Sequence, residues 1–349
     1  MKHLLATAAL TSILALASFG SWAQGEPPKP EYLVVNHSGG VEGEILRKAF
    51  FNTFEDETGI KIRDVNQEGF GKLQAMIETG NIEYDVTSFG IYDALRACEL
   101  GFLEPIAPEI VDRTDFVDHA KLPCAFSYTV ATTAKAYLEE TFPNGGPKTW
   151  ADFWDVEKFP GPRGMLNEPF DNLEFALMAD GVSPDQLYPL DLDRAFRKLD
   201  EIYPNVGVWW SSGAQSAQIL IDKEVAVSTG WNGRFYAAIQ KGAPLKIEFT
   251  QAMINGGAWG IPKGANNAYW AQHLLAVMAR PQNQAIMSEA FGYSGTNKKS
   301  IDHVRDDIKP LLPGHPNNSA TLVQTNLEWW RDHSEEVVER WNAWMLSKQ

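Results

Sequence analysis

Strand-like and helix-like segments alternate along nearly the whole chain, and this alternation is the strongest constraint on the fold. The segment "EYLVVNHSGG" (31–40) reads as a buried strand ending in a glycine turn. The next segment places Leu46, Phe50 and Phe54 at helical spacing before a stop at Gly59. The second half repeats the pattern, as in "VGVWWSSG" followed by "AQSAQILIDKE". The alternation predicts an α/β fold with a mainly parallel sheet.

The first 23 residues have the features of a secretory signal peptide. Lys2 and His3 precede an apolar stretch, and "SWA" supplies a small-x-small cleavage signal before Gln24. The apolar stretch is shorter than the roughly 20 residues of a membrane-spanning helix. We therefore expect cleavage after Ala23 and a periplasmic mature chain, with an uncleaved membrane anchor as the alternative.

Length and charge narrow the class of protein further. The mature chain of about 325 residues is long enough for two cores, since single cores stop growing near 250 to 300 residues. The formal net charge of −15 argues against binding to nucleic acid or to anionic membranes and is compatible with a cationic ligand. Two cysteines, Cys98 and Cys124, show no redox or zinc spacing, and the sequence leaves open whether they pair.

Candidate site segments lie where predicted strands end. Ligands of open α/β sheets bind beyond the carboxyl ends of strands, where turns lead into helices. Five stretches fit this description: 36–40, 88–90, 167–171, 211–213 and 231–233.

Trp231 and Arg234 stand out in "WNGRFYAAIQKG". The Trp231 ring offers a face to an ammonium group, although a core role is the alternative. Arg234 near a helix start opposes the helix dipole, so it either holds a carboxylate or phosphonate of the ligand or pairs with an acidic surface neighbour.

Acidic and nest-forming residues complete the candidate set. Asp171 and Glu168 can pair with a cation, but Asp171 followed by Glu174 also has capping-box spacing. Ser38 in "NHSGG" and Ser212 in "SSG" precede predicted helices, where free backbone amides either bind an anion or simply form a turn.

Several stretches in order resemble one family. They are "YDVTSFGIYDALRACELGFLEPI", "PKTWADFWD", "WNGRFYAAIQKGAPLKIEF" with "AWGIPKGANN", and "MARPQNQAIMSEAFGYSGTNKKSI". From about Tyr32 to Trp344 the chain resembles bacterial solute-binding proteins of ABC importers, of the spermidine/putrescine-binding group.

The resemblance implies a two-lobed periplasmic binding protein fold, in which each lobe is a mixed, mainly parallel sheet flanked by helices and a two-stranded hinge joins the lobes. The first lobe is expected at residues 31–131 and 256–301, and the second at 132–255 and 302–349. The implied function is to capture a small amine-containing solute between the lobes, as a monomer, and to deliver it to a membrane permease.

The resemblance also implies an aromatic cage with acidic residues that pair with the ligand's ammonium groups. Trp231 and Tyr92 match cage positions, and Asp171 with Glu168 match acidic positions of the second lobe.

Four positions depart from the family pattern. His37 stands where the family often has a tryptophan, and Asn255 and Gly257 stand where polyamine binders carry a tryptophan and an amine-binding aspartate. Arg234 replaces a small or acidic residue. Two ligand classes therefore remain open: a polyamine, or a zwitterion such as an ω-amino acid, an aminophosphonate or an opine.

Catalysis is not expected. The chain contains no G-x-S-x-G, its seven histidines show no tight metal pattern, and the adjacent tyrosines of ferric-ion binders are absent. An exported hydrolase is the remote alternative, and neither a cofactor nor a metal is predicted.

Overall fold

The computed structural model describes residues 26–66 and 69–348. The signal peptide predicted at residues 1–23 lies outside the described residues. Within the described ranges, no helix combines the length and apolar character needed to cross a membrane.

Twelve strands are found in the described residues: β1 Tyr32–Asn36, β2 Lys61–Val65, β3 Val86–Gly90, β4 Ala125–Ser127, β5 Thr129–Leu138, β6 Arg163–Leu166, β7 Val206–Trp210, β8 Val227–Trp231, β9 Leu245–Asn255, β10 Gly257–Gly260, β11 Ser294–Gly295 and β12 Val323–Gln324.

The described α-helices are α1 Gly40–Leu46, α2 Asn52–Thr58, α3 Phe70–Thr79, α4 Ile91–Glu99, α5 Trp150–Trp154, α6 Asn172–Ala179, α7 Leu192–Ile202, α8 Gly213–Ile221, α9 Asn232–Gln240, α10 Ala268–Met278, α11 Pro281–Phe291, α12 Pro316–Ser319 and α13 Leu327–Leu346. A π-helical turn, Arg47–Phe51, joins α1 to α2. Short 3-10 helices lie at Asp118–Ala120, Pro184–Gln186, Tyr203–Asn205, Lys298–His303 and Lys309–Leu311.

The first sheet has the strand order β2-β1-β3-β10-β4 and defines the first lobe. Its strands β1, β2 and β3 are parallel, whereas β10 is antiparallel to both β3 and β4. The helical segment after β1 buries Leu46, Phe50 and Phe54 and ends at Gly59, whose φ of 76° is left-handed. The predicted amphipathic helix and its stop are therefore confirmed.

The second sheet has the order β12-β9-β5-β8-β6-β7, with β11 on β5, and defines the second lobe. Strands β6, β7 and β8 are parallel, while the long pair β5 and β9 is antiparallel. The C-terminal helix α13 buries Trp330, Val337 and Trp341 in the core of this lobe.

The chain passes between the sheets at two adjacent points and a third time between β10 and β11. β4 ends at Ser127 and β5 begins at Thr129, while β9 ends at Asn255 and β10 begins at Gly257. The Ser127 Oγ lies within hydrogen-bond distance of both the Thr129 and Gly257 carbonyl oxygens, at 2.9 and 2.8 Å, so its one proton is shared between them. A Cβ at Gly256 would lie 2.7 Å from the Thr129 carbonyl oxygen, so only glycine permits this approach. The residue boundaries of the two lobes given above remain a prediction.

A disulfide joins Cys98 in α4 to Cys124, just before β4. The sequence left open whether the two cysteines pair. The structure shows that they do, and both belong to the first lobe.

Candidate functional site

A cleft of about 890 Å³ lies between the two lobes. Its first-lobe wall includes Ser38 and Tyr92, and its second-lobe wall includes Asp171, Trp231 and Arg234. The strand ends and helix starts of both sheets thus meet here, as expected for an α/β fold.

The structure brings seven of the nine sequence-predicted site residues to this cleft: Ser38, Tyr92, Glu168, Asp171, Trp231, Arg234 and Asn255. Their part in ligand binding stays a prediction.

The structure does not bring Ser212 or His37 into the cleft wall. Ser212 is the N-cap of α8, and its Oγ accepts from the Gln215 N–H, so the hydroxyl serves the helix. His37 is buried beneath the first lobe's wall, where its Nδ1 accepts from the Gly39 N–H at 3.0 Å. It lines an adjoining cavity of about 420 Å³ instead.

Trp231 lies at the end of β8, half-buried, with its ring edge-to-face against Trp210 at a centroid distance of 5.9 Å. The start of α8 passes close to this ring. A Cβ at Gly213 would lie 2.5 Å from the Trp231 Cε3, so a glycine is needed where the helix meets the indole. One part of the ring is held by packing, and the side chain still borders the cleft.

Arg234 projects from the first turn of α9 and is exposed. Its Nε lies 3.0 Å from the position that a Gly213 Cβ would occupy, which puts the guanidinium group beside Trp231. Within residues 26–66 and 69–348, no carboxylate forms an ion pair with Arg234. The alternative in which Arg234 pairs with an acidic surface neighbour is not realised there.

Asp171 precedes α6 and is only 8% exposed. Its side chain makes no capping hydrogen bond, so the capping-box interpretation is wrong for this residue. The backbone has φ 65°, which is uncommon for a residue other than glycine. Burial, and then the neighbouring Glu174 charge, raises the pKa of the Asp171 carboxyl to about 7, and the nearby Thr133 hydroxyl opposes the shift.

Aromatic side chains line both walls next to these charges. Tyr92 in α4 packs against Phe170 with ring centroids 5.9 Å apart, across the two lobes. Burial raises the pKa of the Tyr92 phenol, and the Asp171 charge adds to the effect. The phenol therefore remains a neutral hydrogen-bonding group beside the acid.

Sequence reasoning missed several cleft residues, among them Glu42, Tyr128, Phe291 and Tyr293, whereas Phe170 lies within the candidate segment 167–171. Tyr128 is the residue at the first chain crossing, and its Oη donates to the Glu42 carboxylate at 3.3 Å. Phe291 and Tyr293 flank Gly292, the glycine that ends α11. A helix-ending glycine between two aromatic residues was the available signal, whereas nothing marked Glu42.

A family model described as bacterial extracellular solute-binding protein matches residues 49–313. Among curated proteins, the gamma-aminobutyric acid-binding protein of Pseudomonas aeruginosa is 32% identical over 337 residues, which cover 94% of this chain and 95% of the relative. The spermidine/putrescine-binding periplasmic protein 1 of Haemophilus influenzae is 24% identical over 324 residues, covering 85% and 84%.

Among solved structures, an ABC transporter substrate-binding protein from Bradyrhizobium japonicum superimposes with a TM-score of 0.83. It is 33% identical to this chain, and the match covers 90% of this chain and all of the other. The predicted two-lobed fold is thereby confirmed.

Proposed function

The chain belongs to the bacterial extracellular solute-binding protein family, and from that premise we propose that it captures a small zwitterion of the ω-amino acid class. Its role is that of the solute-binding component of an ABC transporter, and its relatives are solute-binding proteins rather than enzymes. We place the mature protein in the periplasm, in keeping with its relatives.

One observation supports the zwitterion proposal. Among the described residues, the Arg234 guanidinium in the cleft has no carboxylate partner, and the buried Asp171 carboxyl group in the same cleft has no cationic partner. The buried Asp171 carboxyl group needs a partner when it is charged, whereas the exposed Arg234 guanidinium is free to receive one. A ligand with an acidic end and an ammonium end supplies both.

The acidic end belongs at Arg234. A guanidinium group binds a carboxylate through two parallel hydrogen bonds, which are roughly twice as strong as neutral ones. Its position beside the Trp231 ring keeps this end of the ligand against the second lobe.

The ammonium end belongs at Asp171, between aromatic side chains of both lobes. An ammonium group next to this acid favours the ionised carboxylate and offsets the cost of its burial. Tyr92 and Trp231 add ring faces, each worth roughly 0.5 to 2 kcal/mol to a cation. Because these residues come from both lobes, the bound ligand stabilises the closed arrangement.

The similarity to a gamma-aminobutyric acid-binding protein supports this class, since the name of that relative describes a short ω-amino acid binder. A diamine such as putrescine is the second candidate. Glu42 and Glu168 add carboxylates to the same cleft, which favours a second ammonium group. The relative named for spermidine and putrescine supports that candidate at lower identity.

Titration calorimetry with gamma-aminobutyric acid and with putrescine tests the proposal. We expect Arg234→Gln to weaken the zwitterion by about tenfold to a hundredfold, because a charge-assisted hydrogen-bonded pair is lost. Putrescine affinity should change by less than about twofold, because its ammonium groups use the carboxylates.

Arg197→Gln, an exposed arginine on α7 away from the cleft, is the matched control and should leave both affinities unchanged. Equal losses for both ligands in Arg234→Gln would contradict the assignment of the acidic end to this residue.

A further inference from the structure

We infer that Arg331 is a positioning residue for ligand binding: it links helix α13 of the second lobe to α4 of the first lobe and so holds Tyr92 in the cleft wall. Arg331 itself does not line the cleft. The inference rests on the proposed function, because it gives Arg331 a part in binding the proposed ligands.

Helices α4 and α13 each place a side chain of their first turn against the apolar core of the other lobe. Tyr92, the second residue of α4, packs against the main apolar cluster of the second lobe. Leu327, the first residue of α13, packs against the first-lobe cluster that contains Ile91 and Ala94. The two lobes are therefore in direct contact through helices that belong to none of the chain crossings.

A series of aromatic rings connects this contact to the cleft. The Tyr92 ring centroid lies 5.9 Å from that of Phe170, and the Phe170 centroid lies 4.4 Å from that of Trp330 on α13. Tyr92 and Phe170 both line the cleft. A first-lobe cleft residue is thus packed, through one intervening ring, against the helix that carries Arg331.

An ion pair joins the same two helices at the other end of α4. The Arg331 guanidinium pairs with Glu99, the last residue of α4. Its Nε also donates to the neighbouring Asp332 carboxylate at 2.6 Å, which orients the guanidinium group. Residues four or seven apart share one face of a helix, so Arg331 lies on the face of Leu327, and Glu99 on the face of Tyr92. Contacts at both ends of α4 therefore fix its position against α13.

The expected effect of this link is a cleft whose walls are held together before the ligand arrives. A ligand that contacts both lobes spends part of its binding free energy on bringing the walls to contact distance. The link reduces that cost, because it already holds Tyr92 near Phe170 of the opposite wall. Tyr92 serves the ammonium end, which gamma-aminobutyric acid and putrescine share, so loss of the link should weaken both ligands alike.

Arg331→Gln and Glu99→Gln test the inference by titration calorimetry with gamma-aminobutyric acid and putrescine. In low-salt buffer each variant should weaken both ligands by about twofold to fivefold, the range expected for an exposed ion pair. The double variant should lose no more than either single variant, because both changes remove the same ion pair. In about 1 M NaCl, where the screening length is about 3 Å, the variants should bind as tightly as the wild type does.

Arg340→Gln is the matched control. Arg340 lies on the same helix and pairs with Asp193 of α7, so this ion pair stays within the second lobe. Its loss should leave both affinities unchanged. An equal loss in Arg340→Gln, additive losses in the double variant, or unchanged or tighter binding in Arg331→Gln would each overturn the inference.

Small-angle X-ray scattering of the ligand-free protein separates this inference from the proposed function. The double variant Leu327→Ala, Arg331→Gln should have a larger radius of gyration than the wild type and Arg340→Gln, because its lobes separate. An unchanged radius would overturn the inference. If neither ligand binds the wild type but the radius still rises, the link between the lobes stands and the proposed ligand class fails.

Discussion

Asp171 is buried, has a positive φ and lacks a cationic partner among the described residues. A non-glycine residue in such a backbone conformation costs of order 1 to 3 kcal/mol. The side chain makes no hydrogen bond with the free amides of α6 and lines the cleft instead. We attribute the retention of this unfavourable residue to ligand binding.

Asp171→Asn should therefore stabilise the empty protein while removing amine binding. The folded-state pKa of about 7 lies above the ordinary value of 3.8, so burial of this group destabilises the fold fully above about pH 7 and not at all below about pH 4. Urea unfolding at pH 8 should show a gain of about 2 to 4 kcal/mol for the variant. The gain should shrink as the pH falls from 7 to 4, and a pH-independent gain would contradict the assignment.

Sequence reasoning found cleft residues that directly follow a strand and missed those that depend on tertiary contact. Trp231 and Asp171 lie at glycine-rich or proline-containing strand ends, which the α/β rule singles out. Tyr128 and Glu42 meet only because the crossing between β4 and β5 lies beside α1. Ser212 had the same local pattern as a ligand nest but is used as a helix cap.

At the scale of elements, β8 and α9 supply Trp231, Gly233, Arg234 and Ala237 to the cleft wall, and α8 begins beside Trp231. A Cβ on Gly213, the first residue of α8, would contact both Trp231 and Arg234. The lack of a side chain at Gly213 in α8 therefore allows the observed positions of two cleft side chains, Trp231 of β8 and Arg234 of α9.

Gly213→Ala should weaken the zwitterion by about tenfold, although Gly213 does not line the cleft. The added Cβ would lie 2.5 Å from the Trp231 ring and 3.0 Å from the Arg234 Nε, so both side chains must shift. Calorimetry measures the loss. Gly71→Ala in α3 is the matched control, because a Cβ there meets nothing within 4 Å, and its affinity should match the wild type.

The elements themselves were largely predictable, but their pairing directions were not. The alternation of apolar and polar residues predicted the strands and helices around β1, β7 and β8. It carried no information that β10 would enter the first sheet antiparallel or that β5 and β9 would form a long antiparallel pair. Strand periodicity identifies a buried face and leaves the partner strand undefined.

At the scale of the whole molecule, the two adjacent crossings at Tyr128 and Gly256 connect lobes with largely separate apolar cores. Contacts outside the crossings also join the lobes, including the ion pair between Arg331 on α13 and Glu99 on α4. Motion about the crossings is the expected way for the cleft to close on a ligand.

Small-angle X-ray scattering should show a lower radius of gyration after the zwitterion is added, because the ligand contacts both lobes and favours the closed arrangement. Trp231→Ala, which removes a ring from the second-lobe wall, should need a much higher ligand concentration for the same change. A radius of gyration that stays constant at saturating ligand would contradict closure.

The place of β10 in the first sheet has a consequence for biosynthesis. This strand separates β3 from β4, yet it follows them by more than a hundred residues and comes after most of the second lobe. The ribosome must therefore translate past Gly260 before the complete first sheet can be assembled. Until then the first sheet lacks the strand between β3 and β4, so the order of synthesis by itself delays the folding of the N-terminal third of the chain.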